Sequence, residues 1–162
     1  MRNRTAQQGF GLIEIVIGSA IISSALLGIV FAGGTYERVS REVRETIKVS
    51  FLADEGVEAM RSIRDDDWSV FASLAVGTPY YLVFSGGQWT ATATPDTIDS
   101  MFTRTVTLYN VSRDSATNKI STSSGGTYID AETREVRASV SFERAATTTT
   151  REVRAYFSNI FE

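Results

Sequence analysis

Cysteine and histidine are both absent from this chain of 162 residues, and proline occurs only twice. Without cysteine, no disulfide can stabilise the fold, even in an oxidising compartment. The absence of both residue types also removes the commonest general base and the thiol nucleophile. No Gly-x-x-x-x-Gly-Lys phosphate loop is present. We therefore expect a protein that is not an enzyme and that uses no cofactor or metal.

Positive charge is also scarce, because 16 basic residues face 19 acidic ones and the formal net charge is −3. Nucleic acid is therefore an unlikely partner, since such binding depends on a basic surface. DNA binding would require a local basic cluster formed by Arg104, Arg113, Lys119, Arg134, Arg137 and Arg144.

One stretch is almost free of charge: residues 10–34 contain a single charged side chain, that of Glu14. About 20 apolar residues are enough for a helix to cross a bilayer. The run therefore predicts a transmembrane helix. A carboxylate within such a helix costs about 2.5–3.5 kcal/mol at the bilayer centre, and less near its surface. Glu14 is thus a candidate functional residue, although its side chain could simply extend to the membrane surface.

The start of this run carries a motif, Gly9-Phe10-x-x-x-Glu14, preceded by Arg2 and Arg4. It resembles the type IV pilin family, which includes the pseudopilins of type II secretion, over roughly residues 1–65. The resemblance implies that a prepilin peptidase cleaves between Gly9 and Phe10 and that the new amine of Phe10 is N-methylated. It also implies that Glu14 becomes the fifth residue of the mature chain and pairs with the N-terminus of a neighbouring subunit.

The chain departs from the family pattern at two points. Phe31 occupies the position where many major pilins have a helix-bending proline, which favours a minor pilin or a pseudopilin. The chain also has no cysteine for the C-terminal disulfide of many pilins, which leaves the host lineage open. The implied partners are the prepilin peptidase/methyltransferase, other pilin or pseudopilin subunits, an inner-membrane assembly platform, and membrane lipid before assembly. Such a filament serves adhesion, motility, DNA uptake or secretion. The alternative is a single-pass membrane-anchored extracytoplasmic binding module that does not polymerise.

The charges around the span predict its orientation. Arg2 and Arg4 precede it, and the first basic residue after it is Arg38. Short basic segments stay in the cytoplasm. We therefore expect a single-pass protein of the cytoplasmic membrane whose C-terminal domain lies outside and later joins an extracytoplasmic filament.

Beyond the span the pattern becomes that of an amphipathic helix, with apolar residues at steps of three or four. They are Tyr36, Val39, Val43, Ile47, Phe51, Val57, Met60 and Ile63, with one break around residues 53–55. We expect one helix from Phe10 to about Arg64, with the outer half laying this stripe on a sheet. A coiled coil formed by the helix alone is the alternative. Residues 52–65, followed by Trp68, also resemble the helix end of a bacterial pilin-like subgroup.

After residue 78 the sequence alternates with a period of two, which is typical of strands. Residues 80–84 and 88–92 flank Gly86-Gly87 and predict a hairpin. Residues 102–111, 136–143 and 153–157 predict further half-buried strands. The fold class is therefore α+β: a long N-terminal helix packed on a small antiparallel sheet, as in pilins. The expected domains are a cleaved leader (1–9), a transmembrane helix half (10–35), an amphipathic helix half (36–65) and an extracytoplasmic β domain (66–162).

Three further stretches leave alternatives open. Asp65-Asp66-Asp67 is three adjacent carboxylates, which favour a solvated helix exit over a Ca²⁺ site because the spacing is not that of an EF-hand. The nearby apolar residues Trp68, Val70, Phe71 and Leu74 are expected to anchor the connection to the core. Residues 112–134 and 145–150 are polar and predict connectors, although surface recognition or glycan attachment would fit the same composition.

Overall fold

A computed structural model describes residues 11–121, 127–144 and 147–160 of the chain. It contains one long helix, one short helix and five strands. Their bounds are α1 Leu12–Asp66, α2 Trp68–Ser73, β1 Pro79–Ser85, β2 Gln88–Thr92, β3 Phe102–Asp114, β4 Thr127–Arg144 and β5 Thr147–Ser158. The α+β fold class, with a long N-terminal helix and an antiparallel sheet, is confirmed.

The chain divides into two compact units, Met1–Glu45 and Thr46–Glu162. The described part of the first unit is helical from Leu12 onwards, and its apolar side chains are exposed. The second unit contains the rest of α1, the short helix α2 and the whole sheet. The core described below belongs entirely to this second unit.

The five strands form one antiparallel sheet in the order β2-β1-β3-β4-β5. The predicted β1–β2 hairpin is present, and Gly86 and Gly87 form its turn with φ angles of 62° and 85°. Positive φ at both central positions suits the right-handed twist of a hairpin and explains the glycine pair. The β2–β3 connection ends in a second tight turn, where Ile98 pairs with Phe102. Asp99 and Ser100 there also have positive φ, and Asp99 forms an ion pair with Lys48 of α1.

Strands β3 and β4 extend further than the sequence predicts. β3 continues to Asp114 and β4 begins at Thr127, so residues 112–114 and 127–134 of the polar stretch are strand and the prediction of a connector is wrong for them; residues 122–126 lie outside the described residues. Residues 147–150 likewise belong to β5, while residues 145–146 lie outside the described residues. Serine, threonine and asparagine are accepted in strands because the ladder hydrogen bonds come from the backbone, whatever the side chain.

A bulge interrupts the β3–β4 ladder. Asn110 pairs with Arg134, but Val111 pairs with Asp130, so three residues of β4 have no partner on β3. Their carbonyl groups are nevertheless bound. Arg134 Nη1 donates to the carbonyl oxygens of Ala131 at 2.9 Å and Thr133 at 3.0 Å, and the Asn159 backbone N–H donates to that of Glu132 at 2.9 Å. One arginine side chain thus replaces ladder bonds that the bulge removes.

The core lies between the end of α1 and one face of the sheet. Its helix side consists of Val49, Ala53, Val57, Ala59, Met60 and Ile63, and its sheet side includes Leu82, Phe102, Val106, Leu108, Val136, Ala138, Val140 and Phe157. The alternation predicted for residues 136–142 is confirmed, because Val136, Ala138, Val140 and Phe142 are all buried.

Within the second unit, the expectation that the apolar stripe packs on the sheet is wrong for Ile47 and Phe51, which are 50 % and 69 % exposed. The buried face of α1 starts at Val49 and passes through Ala53 and Gly56, where the apolar pattern breaks. A small residue occupies position 56 because the sheet comes very close to the helix there.

Candidate functional site

Glu14 lies in the first turn of α1, where its carboxylate has a partner within the same chain. Glu14 Oε2 accepts a hydrogen bond of 3.1 Å from the backbone N–H of Gly11, and Gly11 also accepts the first helical bonds. A glutamate that reaches back from the third helical position to the residue before the helix is half of a capping box. Negative charge is also favoured at this end of a helix by its dipole. Gly9 and Phe10, the predicted cleavage site, lie outside the described residues.

The helix that follows is long and apolar enough to span a membrane, and it is the only such helix among the described residues. None of its most apolar window is buried, and Leu12, Ile13 and Phe31 are 82 %, 70 % and 74 % exposed. This much apolar surface is unfavourable in water. The arrangement is that of a candidate single-pass segment near the N-terminus, followed by a folded β domain.

Polar side chains within the span bond to the helix itself. The hydroxyls of Ser19, Ser24 and Thr35 donate to the carbonyl oxygens of Val16, Ile21 and Phe31 at 2.8–3.0 Å. Such bonds satisfy the hydroxyl group without an external partner. These internal bonds are important in a hydrocarbon environment, where a polar group without a hydrogen-bond partner is costly. The described part of the span therefore presents a largely apolar surface, interrupted by Glu14 and by the exposed hydroxyl of Ser23.

The second unit is held together where α1 meets β3 and β4. A Cβ added to Gly56 would lie 3.1 Å from Ala138 Cβ and 3.2 Å from Arg104 Cδ. These distances are shorter than ordinary van der Waals contact, so the helix backbone approaches the sheet as closely as only glycine permits. This glycine belongs to the segment 52–65 that resembles the helix end of a pilin-like subgroup.

Arg104 reaches from β3 to α1 beside this contact. Its side chain is 5 % exposed, and its Nη1 donates to Glu55 Oε2 at 2.5 Å and to the carbonyl oxygen of Leu52 at 3.5 Å. Its guanidinium also lies 5.3 Å from the ring centroid of Trp89. Because Glu55 is half exposed, the pair is desolvated mainly on the arginine side. Arg104 Nε is buried and has no hydrogen-bond partner among the described atoms.

The C-terminal part of segment 52–65 contacts the edge strand β5. Arg61 and Arg64 of α1 lie over the ring of Phe157, at 5.8 Å and 5.0 Å from its centroid. Phe157 packs edge-on against Phe71, which in turn contacts Trp68. Nearly every distinctive residue of the segment therefore serves helix–sheet packing. The segment docks α1 on the sheet, as its apolar residues Val57, Met60 and Ile63 predict, whereas the partners of its charged residues could not be predicted because they are remote in the chain.

The aspartate triplet 65–67 ends one helix and starts the next. Asp67 caps α2 by accepting from the backbone N–H groups of Ser69 and Val70, and the Ser69 hydroxyl bond holds the pKa of Asp67 below its usual range. Asp65 pairs with Arg64. No carboxylate group suited to a metal occurs within residues 11–121, 127–144 and 147–160. The expected helix exit is confirmed. Phe71 anchors it fully buried, whereas Val70 is 54 % exposed and does not.

Four of the six basic residues that DNA binding would require are bound by other groups of the same chain. Arg104 pairs with Glu55, Arg113 with Asp130, and Arg137 with Glu135. Arg134 binds the carbonyl groups of the bulge, and Lys119 lies at the β3–β4 turn. The side chain of Arg144 is outside the described part of the chain. Of the five that the structure describes, Arg113, Lys119 and Arg134 lie at the same end of the β3–β4 hairpin, where Arg113 donates to the Asn118 carbonyl oxygen and Arg134 to that of Asp130. The charge of Arg113 is balanced there by the carboxylate of Asp130.

Comparison with known proteins adds no relative: no family model, no curated protein and no solved structure matches this chain.

Proposed function

We propose that this chain is a minor pilin or pseudopilin, a structural subunit of a type IV pilus-like or type II secretion-like filament. A prepilin peptidase cuts between Gly9 and Phe10, and the new amine of Phe10 is N-methylated. The subunit waits in the cytoplasmic membrane with its β domain outside. An assembly platform then transfers it into a filament, where its apolar helix packs against those of other subunits.

The observation that carries this proposal is the combination of an unburied apolar helix with a single carboxylate in its first turn. The side chains from Leu12 to Phe31 that are large and apolar are all more than half exposed. Lipid covers such a surface before assembly, and neighbouring helices can cover it afterwards, because packing between helices replaces packing with lipid. Glycines and serines along the span allow close approach of these helices.

Glu14 gives this assembly its register. After cleavage, the positive amine of Phe10 in one subunit pairs with the carboxylate of Glu14 in its neighbour. The pairing removes the cost of a charge in an apolar environment only when the two subunits are correctly aligned. The hydrogen bond from Gly11 to Glu14 is compatible with this role, since a carboxylate has capacity for further partners.

The same hydrogen bond favours a second candidate. If Glu14 serves only to cap its own helix, the chain is a single-pass anchor for a binding domain that does not polymerise. Such an anchor needs neither cleavage at Gly9 nor a negative charge at residue 14.

The first test is the N-terminal residue of the membrane-extracted protein, measured by intact mass and terminal peptide sequencing. A chain that begins with N-methyl-Phe10 supports the filament subunit. A chain that retains residues 1–9, in a host with an active prepilin peptidase, rules it out and leaves the membrane anchor.

The second test separates charge from capping at residue 14. Glu14→Gln keeps an oxygen that can accept from the Gly11 N–H but removes the charge, whereas Glu14→Ala removes both. The filament proposal predicts that both variants are excluded from filaments sheared from cells. Normal incorporation of Glu14→Gln would show that capping is the only role. Glu37→Ala, which alters a glutamate of the same helix outside the apolar span, is the matched control.

A further inference from the structure

Strand β5 forms one edge of the sheet and is paired on one side only. It is the last strand in the sheet order, and among the described residues only those of β4 pair with its backbone. The N–H and C=O groups on its other side therefore have no partner in the sheet. Except for Val153, Ala155 and Phe157, the residues of β5 are exposed. The ligand that complements such a row of backbone groups is another extended polypeptide.

This edge has few of the features that keep sheet edges from pairing. Edges are commonly protected by proline, by lysine, by a bulge or by a short strand. β5 is 12 residues long, contains neither proline nor lysine, and pairs with β4 without a shift in register. It is rich in threonine and aromatic residues, which favour strands. Its only charged side chains are those of Arg151, Glu152 and Arg154, so these decide which strand the edge accepts.

The charges of β5 fit a second, antiparallel copy of β5 in one register. When identical edges pair about a two-fold axis with both cores on the same side, one residue must face its own copy. An axis at Arg151, Glu152 or Arg154 brings like charges face to face, which is destabilising. An axis at Val153 instead places Glu152 opposite Arg154 of the second copy, and it does so twice. Axes further along the strand pair fewer residues and form no such ion pair.

The rest of the Val153 register is also compatible with pairing. It includes every residue of β5 except Thr147. Thr150 faces Tyr156 of the second copy, which is a β-branched and aromatic pair of the kind that stabilises sheets. Within one chain, Arg154 Nε already donates to Glu152 Oε1 at 2.7 Å. In the paired strands each arginine therefore lies between two glutamates, and the four charges alternate in sign.

We propose that β5 joins two copies of this chain edge to edge, with the two-fold axis at Val153. The two sheets then form one antiparallel sheet of ten strands, and both cores lie on the same side of it. The pairing supplies a partner for the free backbone groups of both edges. The other edge strand, β2, fits β5 less well. It has five residues and no charge, and it runs in the same direction as β5, so it would form the less stable parallel pair.

The direction of α1 shows which copies can meet in this way. Val49 of α1 packs in one cluster with Phe102 at the start of β3. Met60 packs in another with Leu108, further along the same strand, so this part of α1 runs in the direction of β3. The two-fold axis reverses that direction in the second copy. The contact therefore joins chains that approach from opposite directions, and it goes beyond the proposed function, in which parallel subunits pack in one filament.

The test is disulfide cross-linking of the detergent-solubilised full chain, which has no cysteine of its own. Facing residues have Cα atoms about 4.5–5.5 Å apart, which a disulfide can bridge, so we expect Val153→Cys to form a cross-linked dimer under mild oxidation. Thr149→Cys is the matched control. Thr149 is more exposed than Val153, but its two copies lie about 27 Å apart along the paired strands. Equal cross-linking of the two variants, or none by folded Val153→Cys, would overturn the proposal.

A mixture of two variants keeps the test decisive if Val153→Cys fails to fold. Thr150 faces Tyr156 of the second copy, whereas each of these residues lies about 20 Å from its own copy. Thr150→Cys and Tyr156→Cys chains should therefore cross-link when they are mixed, and neither should do so alone. A mixture of folded chains that gives no dimer would refute the pairing.

Charge reversal tests the register. Glu152→Arg and Arg154→Glu each bring like charges face to face twice, and each is expected to weaken dimerisation about tenfold or more in analytical ultracentrifugation. The double change restores opposite charges and should bring the dissociation constant back to within about threefold of the parent. Association through the apolar span would not respond to these changes. Single reversals without effect, or a double change that restores nothing, would refute the register.

Discussion

Replacing Gly56 by alanine tests how tightly α1 is docked on the sheet. Alanine is the better helix former by about 1 kcal/mol, so at an open position the change would stabilise the protein. Here the new Cβ would lie 3.1 Å from Ala138 Cβ and 3.2 Å from Arg104 Cδ. Neither neighbour moves easily, because Ala138 is part of the interior strand β4 and Arg104 is held at its far end by Glu55.

Overpacking of this kind costs about 1–3 kcal/mol. Subtracting the gain in helix propensity leaves a net destabilisation of about 0–2 kcal/mol, and we expect a value near the middle of that range. The assay is thermal and urea-induced unfolding of the detergent-solubilised full chain, followed by fluorescence of Trp68 and Trp89, both of which pack against the core. Gly33→Ala is the control, since nothing lies within 4 Å of its added Cβ.

A double-mutant cycle identifies the source of the cost. Ala138→Gly removes the atom nearest to the new Cβ, so the pair of changes should be less harmful than the sum of the two single changes, by about 0.5 kcal/mol or more. If Gly56→Ala instead raises the free energy of unfolding by about 1 kcal/mol, the close approach of helix and sheet is absent and the docking argument fails. Zero coupling in the cycle would show that Ala138 is not the obstacle.

Three further changes probe the same domain. Arg104→Ala should lower the free energy of unfolding by about 1–3 kcal/mol in the same assay. Arg104→Met should lower it less, because methionine removes the buried charge, whose Nε is unbonded, but keeps the packing against Trp89. An equal loss in both variants would contradict this account. Phe71→Ala should cost about 3–5 kcal/mol and the exposed Val70→Ala less than about 0.5 kcal/mol, and similar costs would show that the α2 anchor is misassigned. The hydrogen bond from Arg113 holds the pKa of Asp130 below its usual range. The ionised Asp130 therefore contributes fully to stability above the unfolded pKa of about 3.9, and this contribution is lost as pH falls through the lower folded pKa. Asp130→Asn should be less stable than the parent at neutral pH and should lose less stability on acidification, and parallel pH profiles of the two proteins would argue against the pair.

The features that the sequence predicts correctly are those whose signal is local. The alternation of Val136, Ala138, Val140 and Phe142 predicts a half-buried strand, because successive side chains of a strand point to opposite faces of the sheet. The Gly86-Gly87 pair predicts its turn because few other residues tolerate positive φ twice. The apolar run after Phe10 predicts a long helix from length and composition alone, and α1 is such a helix from Leu12 onwards.

The errors concern contacts between residues that are far apart in the chain. The period of the stripe from Tyr36 to Phe51 shows that α1 has an apolar side, but a period cannot say where the covering sheet begins. Arg104 interrupts an apolar alternation in β3, and its partner Glu55 lies 49 residues earlier. A charged residue at an otherwise buried strand position is the one signal that could have indicated a buried ion pair.

For the candidate site, the motif around Glu14 was found from sequence because its spacing is fixed along one helix. The set of side chains on the sheet face opposite the core cannot be predicted in this way, because it depends on the pairing of three strands. Thr105, Ser139 and Glu152 become neighbours only through the register of β3, β4 and β5. A threonine-rich strand by itself predicts only a solvent-facing surface.

The bulge at Val111 divides the β3–β4 hairpin into a portion that belongs to the core and a portion beyond it. The register of the core portion is fixed by Val106, Leu108 and their partners, while the outer portion has a register of its own. Residues can therefore be gained or lost beyond the bulge without turning any core side chain to the wrong face, as a slip in a continuous ladder would do. Among the described residues, diversification of this protein across lineages should accordingly concentrate in residues 115–121 and 127–129, while Arg113, Asp130 and Arg134 persist.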